Sequence, residues 1–509
     1  MSVADGVRGW AARTPEGPAV VQGERTLSFR GLADRIGRVG CGVVEGLGVA
    51  PGSHSAIFAP NCLEYFELLL GLSDAQVAPV LVGATSDVRS LAAVCNDSES
   101  RVLFVHPSLE ETARAAELDT VRRIVVLGEE YESWLSSARS SRLQLPRSSD
   151  DTFVILYTSG TTGAPRGAVF SQLAKVIQYL AICAEFRTGA AKERSLTVGP
   201  LSHGATLAYA LATLNAGGTA VILPIFHPEV LLRQVDRHRI TNFAVVPAHL
   251  EALVGLGDSM FGRYDRALLR LVVVGSAALP PAVKEESIAL FGEGVIQENY
   301  GSTEMGQIAH LKLEYQERKP GSVGPPFYGT TARIVGPDGA PLPAGEIGEL
   351  HLRASSAFYG YWRRPAETEA AFSGDFFITR DLARLDEDGF IYLSDRADDT
   401  INIGGFTVQP RQIEDVLVRH PDVVEAVAFG SPDPRLGEVV HALVVLRRGA
   451  VPGERELLAF SAKHLALEKR PRRIEIVSEI PRNDVGKIVR RTLRESFPAS
   501  EGLGSSASL

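Results

Sequence analysis

Residues 155–172, ILYTSGTTGAPRGAVFSQ, crowd hydroxyls and glycines into one short stretch and set a single cation, Arg166, behind a proline. Gly160, Gly163 and Gly167 lack a Cβ, so the backbone there can turn sharply and lie close to a ligand. Thr158, Ser159, Thr161 and Thr162 bring hydroxyl donors and Arg166 brings charge, a set suited to phosphate oxygens. The stretch is not a G-x-x-x-x-G-K-[ST] loop, because the fifth residue after Gly160 is Pro165. A Gly, Ser and Thr cluster standing alone is also what a polar surface turn looks like, so its surroundings must decide.

The elements that would position this loop are legible on both sides. TFVILYT before it reads as a buried strand and SQLAKVIQYLAICAEF after it as a helix, the usual setting of a phosphate loop. HSAIFAP, APVLVG, RVLFVH and RIVVLG read as further strands, and SFRGLADRIGRVGCGVVEGLG and CLEYFELLLGLSDAQ as helices. The rhythm continues through TAVILP, NFAVVP and LRLVVVGSAAL, and such alternation predicts parallel sheets with crossover helices. From about residue 320 the texture turns to hairpins, as in ARIVGPDGAPLPAGEIGELHLRA and DEDGFIYLSDRADDTINIGG. RQIEDVLVRHPDVVEAVAFGSPD, HALVVLRR and ELLAFSAKHLAL then mix helix and strand over the length of a small α+β domain. SFPASEGLGSSASL reads as a disordered tail, and no internal repeat occurs. GCGVVEGLG is not a dinucleotide fingerprint, since Gly46 comes one residue late and the glycines sit within a helical pattern.

Composition removes several classes. A chain of 509 residues exceeds what one core usually holds, so at least two domains are expected. A net charge of −9 without a dense Lys/Arg block argues against nucleic acid. No apolar run reaches bilayer-spanning length and MSVADGVRGW has no hydrophobic stretch behind a basic start, so a cytoplasmic protein without a membrane partner is expected. Cys41, Cys62, Cys95 and Cys183 stand singly in apolar segments and read as buried free thiols.

Five motifs in order carry a family resemblance: YTSGTTGAPRG, ENYGSTEMG at 298–306, FITRDLARLDEDGFIYLSDRADDTI at 377–401, GGFTVQPRQIED at 404–415 and PRNDVGKIVRR at 481–491. Together they resemble the AMP-forming adenylating enzymes, the superfamily of acyl-CoA synthetases, peptide-synthetase adenylation domains and firefly-type luciferases. GEIGELHLRA and YGYWRRPAET fit the same pattern less specifically. The resemblance implies an α/β fold, with a large N-terminal domain of stacked α/β sheets plus a β-rich subdomain and a small mobile α+β C-terminal domain. It places the AMP-binding domain at 1–397, the small domain at 398–495 swinging about Asp398, and the tail at 496–509.

The chemistry implied is attack of a carboxylate on the α-phosphate of ATP, followed by transfer of the acyl group to a thiol. That first step needs neutralised phosphates and in-line geometry more than covalent help. By resemblance, Thr158, Ser159, Gly160, Thr161, Thr162, Gly163 and Arg166 would hold the β and γ phosphates. Glu304, with Thr161 or Thr162, would hold Mg²⁺, a hard cation that favours oxygen ligands. Tyr300, with Gly301 and Thr303 in the same motif, would stack on adenine. Asn299 and Ser276 would lie at its edges, Asp381 would take the ribose hydroxyls, and Arg396 would face ribose or phosphate. Lys487 would bridge the carboxylate and the α-phosphate. Taken singly, Tyr300 is also what a core aromatic looks like, Glu304 a solvated turn carboxylate and Lys487 a surface lysine; the five ordered motifs favour the site reading.

GGFTVQPRQIE resembles the CoA-ligase version of its motif, so Gly404, Gly405 and Phe406 are expected along a narrow tunnel for the pantetheine arm of coenzyme A. His203, in GPLSHGATLAYAL, matches a ring that gates the acyl site, with a satisfied loop histidine as the bland alternative. His203, Gly204, Val246, Ala277, Ala278, Gly301 and Met305 would line an acyl pocket with no carboxylate for an α-ammonium group. A hydrophobic or aromatic acid is therefore expected. Three residues depart from the family pattern: Arg166 for lysine, Arg380 for the glycine of T-G-D, and Ile403 for a small polar residue. They motivate an alternative, a weakly adenylating or non-adenylating variant that mainly joins acyl-AMP to CoA. A non-catalytic acid- or nucleotide-binding homologue, a luciferase-like oxygenase and a carrier-protein ligase stay open, as does a homodimer.

Overall fold

The computed structural model describes residues 2–159, 165–396, 399–403, 406–433, 436–447, 449–482, 488 and 490–496. The chain forms two compact units, residues 1–332 with 352–377 and residues 333–351 with 378–509.

The first unit is built on two large sheets. One orders its strands Gly360–Tyr361, Pro165–Ser171, Thr152–Ser159, Ala78–Val82, His54–Phe58, Ser100–Val105 and Arg123–Val126. The other runs Gly306–Leu311, Ile296–Ser302, Leu271–Val274, Asn242–Val245, Arg194–Thr197, Thr219–Ile222, Pro18–Gln22 and Arg25–Ser28. Both are parallel in their centres and antiparallel at one or both edges. HSAIF and APVLV are buried at every position, as strands covered by helices on both faces must be. The GCGVVEGLG segment is helical, Phe29–Cys41 running on into a wide turn at Gly42–Gly46. Cys41, Cys62 and Cys95 are buried free thiols, whereas Cys183 is only half-buried. Among the described residues no helix is long and apolar enough to cross a membrane.

The setting of the Gly/Thr loop differs from the expected strand, loop and helix. Pro165–Ser171 is itself a strand, antiparallel to Thr152–Ser159, with Tyr157 opposite Gly167 and Thr158 opposite Arg166. The helix Gln172–Phe186 follows only then, capped by Ser171 Oγ accepting from the Ala174 N–H at 3.0 Å. The loop thus closes a hairpin, which fixes both its ends to neighbouring strands. This strand escapes a sequence reading because Pro165 and Gly167 mark its start as a turn.

The second unit carries an antiparallel ladder in which Asp381 faces Arg396, and a five-stranded sheet near the C-terminus. In that sheet Phe406–Val408, Ile401–Ile403, Gly437–Leu446 and Val423–Asp433 are neighbours, and Arg473–Val477 runs parallel to Gly437–Leu446. Helices Pro410–Leu417 and Glu454–His464 cover it through Ile413, Leu417 and Leu457.

One buried residue of the first unit works against stability. Lys175, on the first turn of Gln172–Phe186, is 2% exposed. Its Nζ donates to Gln178 Oε1 at 3.0 Å and stands 3.6 Å from the centroid of the Phe170 ring, and no carboxylate pairs with it among the described residues. Burial pushes the ammonium down to about 7. An unfolded lysine keeps its proton to about pH 10.4, so between about pH 7 and 10 the unfolded chain binds more protons and stability rises with pH. Lys175→Met, apolar and of similar length, is expected to raise the melting temperature at pH 7 by a few degrees, with the advantage shrinking toward pH 10. Melting curves at stepped pH check this, and an advantage that grows with pH contradicts it.

Candidate active site

The second large sheet gathers the expected acyl-side residues at one edge. Its central strands are parallel, and Val246 follows Asn242–Val245, Ser276, Ala277 and Ala278 follow Leu271–Val274, and Tyr300 and Gly301 end Ile296–Ser302. His203 follows Arg194–Thr197 and precedes the helix that begins at Gly204. The carboxyl ends of parallel strands are where open α/β sheets bind ligands. Ser276, Ala277, Ala278 and Gly301 are exposed, whereas His203, Gly204, Val246 and Tyr300 are half-buried. Ser276 holds φ at +70°, in the left-handed region that non-glycine residues seldom take. The Asn299 amide Nδ2 is buried with no hydrogen-bond partner among the described residues, a donor left for a ligand that reaches this edge.

A tight hairpin then carries the STE segment. Ile296–Ser302 pairs antiparallel with Gly306–Leu311, Ser302 opposite Gly306, so Thr303, Glu304 and Met305 form its turn. A Cβ on Gly301 would lie 2.4 Å from the Gly306 carbonyl oxygen, so this position admits only glycine without a shift of backbone. Met305 is buried and its N–H donates to Ser302 Oγ at 3.2 Å. The Glu304 carboxylate accepts from Tyr361 Oη at 3.0 Å, and its carbonyl accepts from the Phe358 N–H at 2.8 Å.

Arg166 lies against the same tyrosine. Its guanidinium carbon stands 4.6 Å from the centroid of the Tyr361 ring, and Nη1 is 3.8 Å from Glu367 Oε2. Its Nε is buried with no partner among the described residues. Thr158 Oγ1 reaches the Arg166 carbonyl at 3.5 Å. A cation and a carboxylate held by one tyrosine can neutralise phosphates and share a hard divalent cation with them. Among the described residues no group of three or more His, Cys, Asp or Glu could hold a metal alone. A single carboxylate suits Mg²⁺ that takes its other ligands from water and the nucleotide.

In the second unit, the Asp381 N–H donates to Thr379 Oγ1 at 3.0 Å, and that hydroxyl donates to the Leu350 carbonyl at 2.7 Å. Arg380 holds φ at +64°, so the position requires the backbone that a glycine would take freely. Its side chain is 54% exposed, and Nη1 lies 4.0 Å from Glu349 Oε1. Ile403 is buried and pairs with Phe406. Gly160, Thr161, Thr162, Gly163, Asp398, Gly404, Gly405 and Lys487 lie outside the described residues, and for Ser159, Arg396 and Phe406 only the backbone is described. Sequence reasoning missed Tyr361, which it quoted only inside YGYWRRPAET. Nothing in the spacing connects a residue 57 positions from Glu304 to it.

Comparison with known proteins bears on the whole arrangement. Residues 7–362 match the model of the AMP-binding enzyme family, and residues 412–487 match that of the AMP-binding enzyme C-terminal domain. The chain is 32% identical to a fatty acid–acyl-carrier-protein ligase of Streptomyces coeruleorubidus, over 96% of this chain and 95% of that one. It is 31% identical to feruloyl-CoA synthase of an Amycolatopsis species, over 97% and 99%. Among solved structures, ATP-bound MatB of Rhodopseudomonas palustris superposes with a TM-score of 0.88 at 28% identity, covering 98% of this chain and 99% of that chain.

The Arg380 backbone generates a prediction of its own. A non-glycine residue in the left-handed region costs about 1–2 kcal/mol, against about 0.5–1 kcal/mol for the extra freedom glycine gives the unfolded chain. Arg380→Gly is therefore expected to be as stable as the parent or more so, by up to about 1.5 kcal/mol. Denaturant unfolding measures this, and a clear loss would show that the contact with Glu349 outweighs the backbone cost.

Proposed function

Since the chain belongs to the AMP-binding enzyme family and is an AMP-forming acid–thiol ligase, we propose that it converts a hydrophobic or aromatic carboxylic acid without an α-amino group to its coenzyme A thioester. In the first step the substrate carboxylate attacks the α-phosphorus of ATP. A P–O bond forms, the bond to the β-phosphate oxygen breaks, and pyrophosphate leaves. In the second, the CoA thiolate attacks the acyl carbonyl and AMP departs.

Each step calls on residues of this chain. The loop from Thr158 to Gly167, with Arg166, grips the β and γ phosphates, while Tyr300, Asn299 and Ser276 receive adenine and Asp381 with Arg396 receives the ribose side. Glu304 and Thr161 hold Mg²⁺, which when bound neutralises charge on the phosphates. Lys487 places the carboxylate against the α-phosphate. Rotation of the 398–495 segment about Asp398 then exchanges Lys487 for Gly404, Gly405 and Phe406, beside which the thiol arm enters. The setting is the cytoplasm, where ATP and CoA are both available.

The observation that carries the substrate class is that Gly204, Val246, Ala277 and Ala278, which follow the parallel strands, are small or apolar, and that the only polar side chain expected beside them, His203, is no carboxylate. Feruloyl-CoA synthase and the anthranilate CoA ligase, solved with anthranoyl-AMP, are named for aromatic acids, which agrees with such a pocket. A second reading has its own observation. Arg380 occupies a left-handed backbone position directly before Asp381, which favours a chain that adenylates slowly and mainly transfers preformed acyl groups.

One experiment separates these readings. Acyl-CoA formation is followed by mass spectrometry for a panel of aromatic and fatty acids with ATP, Mg²⁺ and CoA, and for the matching acyl-adenylates with CoA alone. Product is expected from both mixtures, and Lys487→Ala is expected to lower the first by about a hundredfold or more, the scale of one preorganised charge at a transition state, while sparing the second. Product from the adenylates alone would replace the proposal with the second reading, and product from neither would make the chain a binding homologue.

A further inference from the structure

Tyr361 touches both charged groups of the adenylation centre, although it belongs to neither of the loops that carry them. The residue is 7% exposed, and Gly360–Tyr361 forms a short strand beside Pro165–Ser171, with Tyr361 opposite Ala168. The Trp362 N–H donates to the Gly167 carbonyl at 2.7 Å and the Tyr359 N–H to the Val169 carbonyl at 2.8 Å. The ring is thereby fastened to the strand that leaves the phosphate loop, two positions past Arg166. Its own N–H donates to Thr368 Oγ1 at 2.9 Å.

The segment is anchored from a second direction by Asp97. One oxygen of that carboxylate accepts from Tyr157 Oη and the other from Arg364 Nη2, both at 2.6 Å, and the Asp97 carbonyl accepts from Trp362 Nε1 at 3.2 Å. Tyr157 lies on the strand that enters the phosphate loop and Arg364 lies three residues past Tyr361. One carboxylate therefore fixes both the entry to the loop and the segment bearing Tyr361.

Tyr361 offers its two faces to two different charges. The phenol oxygen donates to Glu304 at 3.0 Å, while the ring face receives the Arg166 guanidinium at 4.6 Å. A planar guanidinium stacks on an aromatic face better than an ammonium does, which gives a reason for arginine at position 166.

We propose that Tyr361 is the positioning residue of the adenylation half-reaction: its hydroxyl aims the metal-binding carboxylate of Glu304, and its ring stores the loop cation Arg166 until a triphosphate draws it away. This rests on the function proposed above.

The test is binding of Mg·ATP by isothermal titration calorimetry, with and without Mg²⁺, alongside thioester formation from synthetic acyl-adenylate and CoA. Tyr361→Phe keeps the ring and removes the donor. It should weaken ATP binding in the presence of Mg²⁺ by about tenfold or more, the size of one hydrogen bond to a charged group, and leave metal-free ATP binding and thioester formation unchanged. Tyr361→Leu removes the ring as well, and with it a contact made only in the ATP-free state, so metal-free ATP binding should tighten. In a Glu304→Gln background, Tyr361→Phe should have little further effect, since the two act as a pair. Mg·ATP binding by Tyr361→Phe equal to the parent, or additive losses in the double variant, overturns the proposal while leaving the ligase reading intact. Failure of the parent chain to bind Mg·ATP at all overturns the ligase reading itself. A loss spread equally over thioester formation would mark Tyr361 as a general structural residue and overturns the proposal as well.

Discussion

The hydrogen bond from Tyr361 to Glu304 is the contact on which the geometry of the catalytic face depends. Around it the chain brings together an acidic hairpin turn at 303–305, the strand leaving the phosphate loop and a short edge strand at 360–361. The first of those pieces is a connection and the other two are edge strands flanking one, and connections are the most variable parts of a fold unless something fixes them. Here the fixing is done by main-chain bonds from Tyr359 and Trp362 to the Pro165–Ser171 strand, from Phe358 to Glu304, and by Asp97 at the rear. The result is a rigid support for charges that must be in place before the nucleotide arrives, because preorganised charges need no rearrangement as the reaction proceeds.

The parallel sheet plays the complementary part. Its buried strands hold no chemistry themselves, but their carboxyl ends deliver the residues around 203, 246, 276–278 and 299–301 to one edge. Under the proposed function, substrate choice would vary by exchange of small residues at that edge, while the residues proposed to hold phosphate stand on separate elements. Relatives of similar sequence identity whose names refer to fatty, aromatic and sulfonated acids are consistent with that division of labour.

Much of this was legible in the sequence, for identifiable physical reasons. APVLV and LVVV are continuous apolar runs bounded by turn residues, and each became a buried parallel strand where it was expected. ENYGSTEMG stood out by its resemblance to a family motif, and the Gly/Thr loop by its crowding of hydroxyls and glycines. The strand Pro165–Ser171 was hidden by the proline and glycine at its start, which serve loop closure and packing rather than breaking the strand. Tyr361, Asp97 and Tyr157 were invisible for a different reason: their roles arise from contacts between residues 57 to more than 260 positions apart, which leave no local pattern. Arg380 illustrates the reverse case, since its departure from a glycine was visible in the sequence but the left-handed backbone beneath it was not.

The central claim is that this arrangement activates a carboxylate at the expense of ATP. Isotope exchange between pyrophosphate and ATP, measured without CoA and with a cognate acid present, tests it most directly because it reports reversal of the first step alone. The account predicts exchange that depends on both the acid and Mg²⁺ and is lost in Glu304→Ala. An absence of exchange in a chain that still makes thioester from acyl-adenylate and CoA would contradict it.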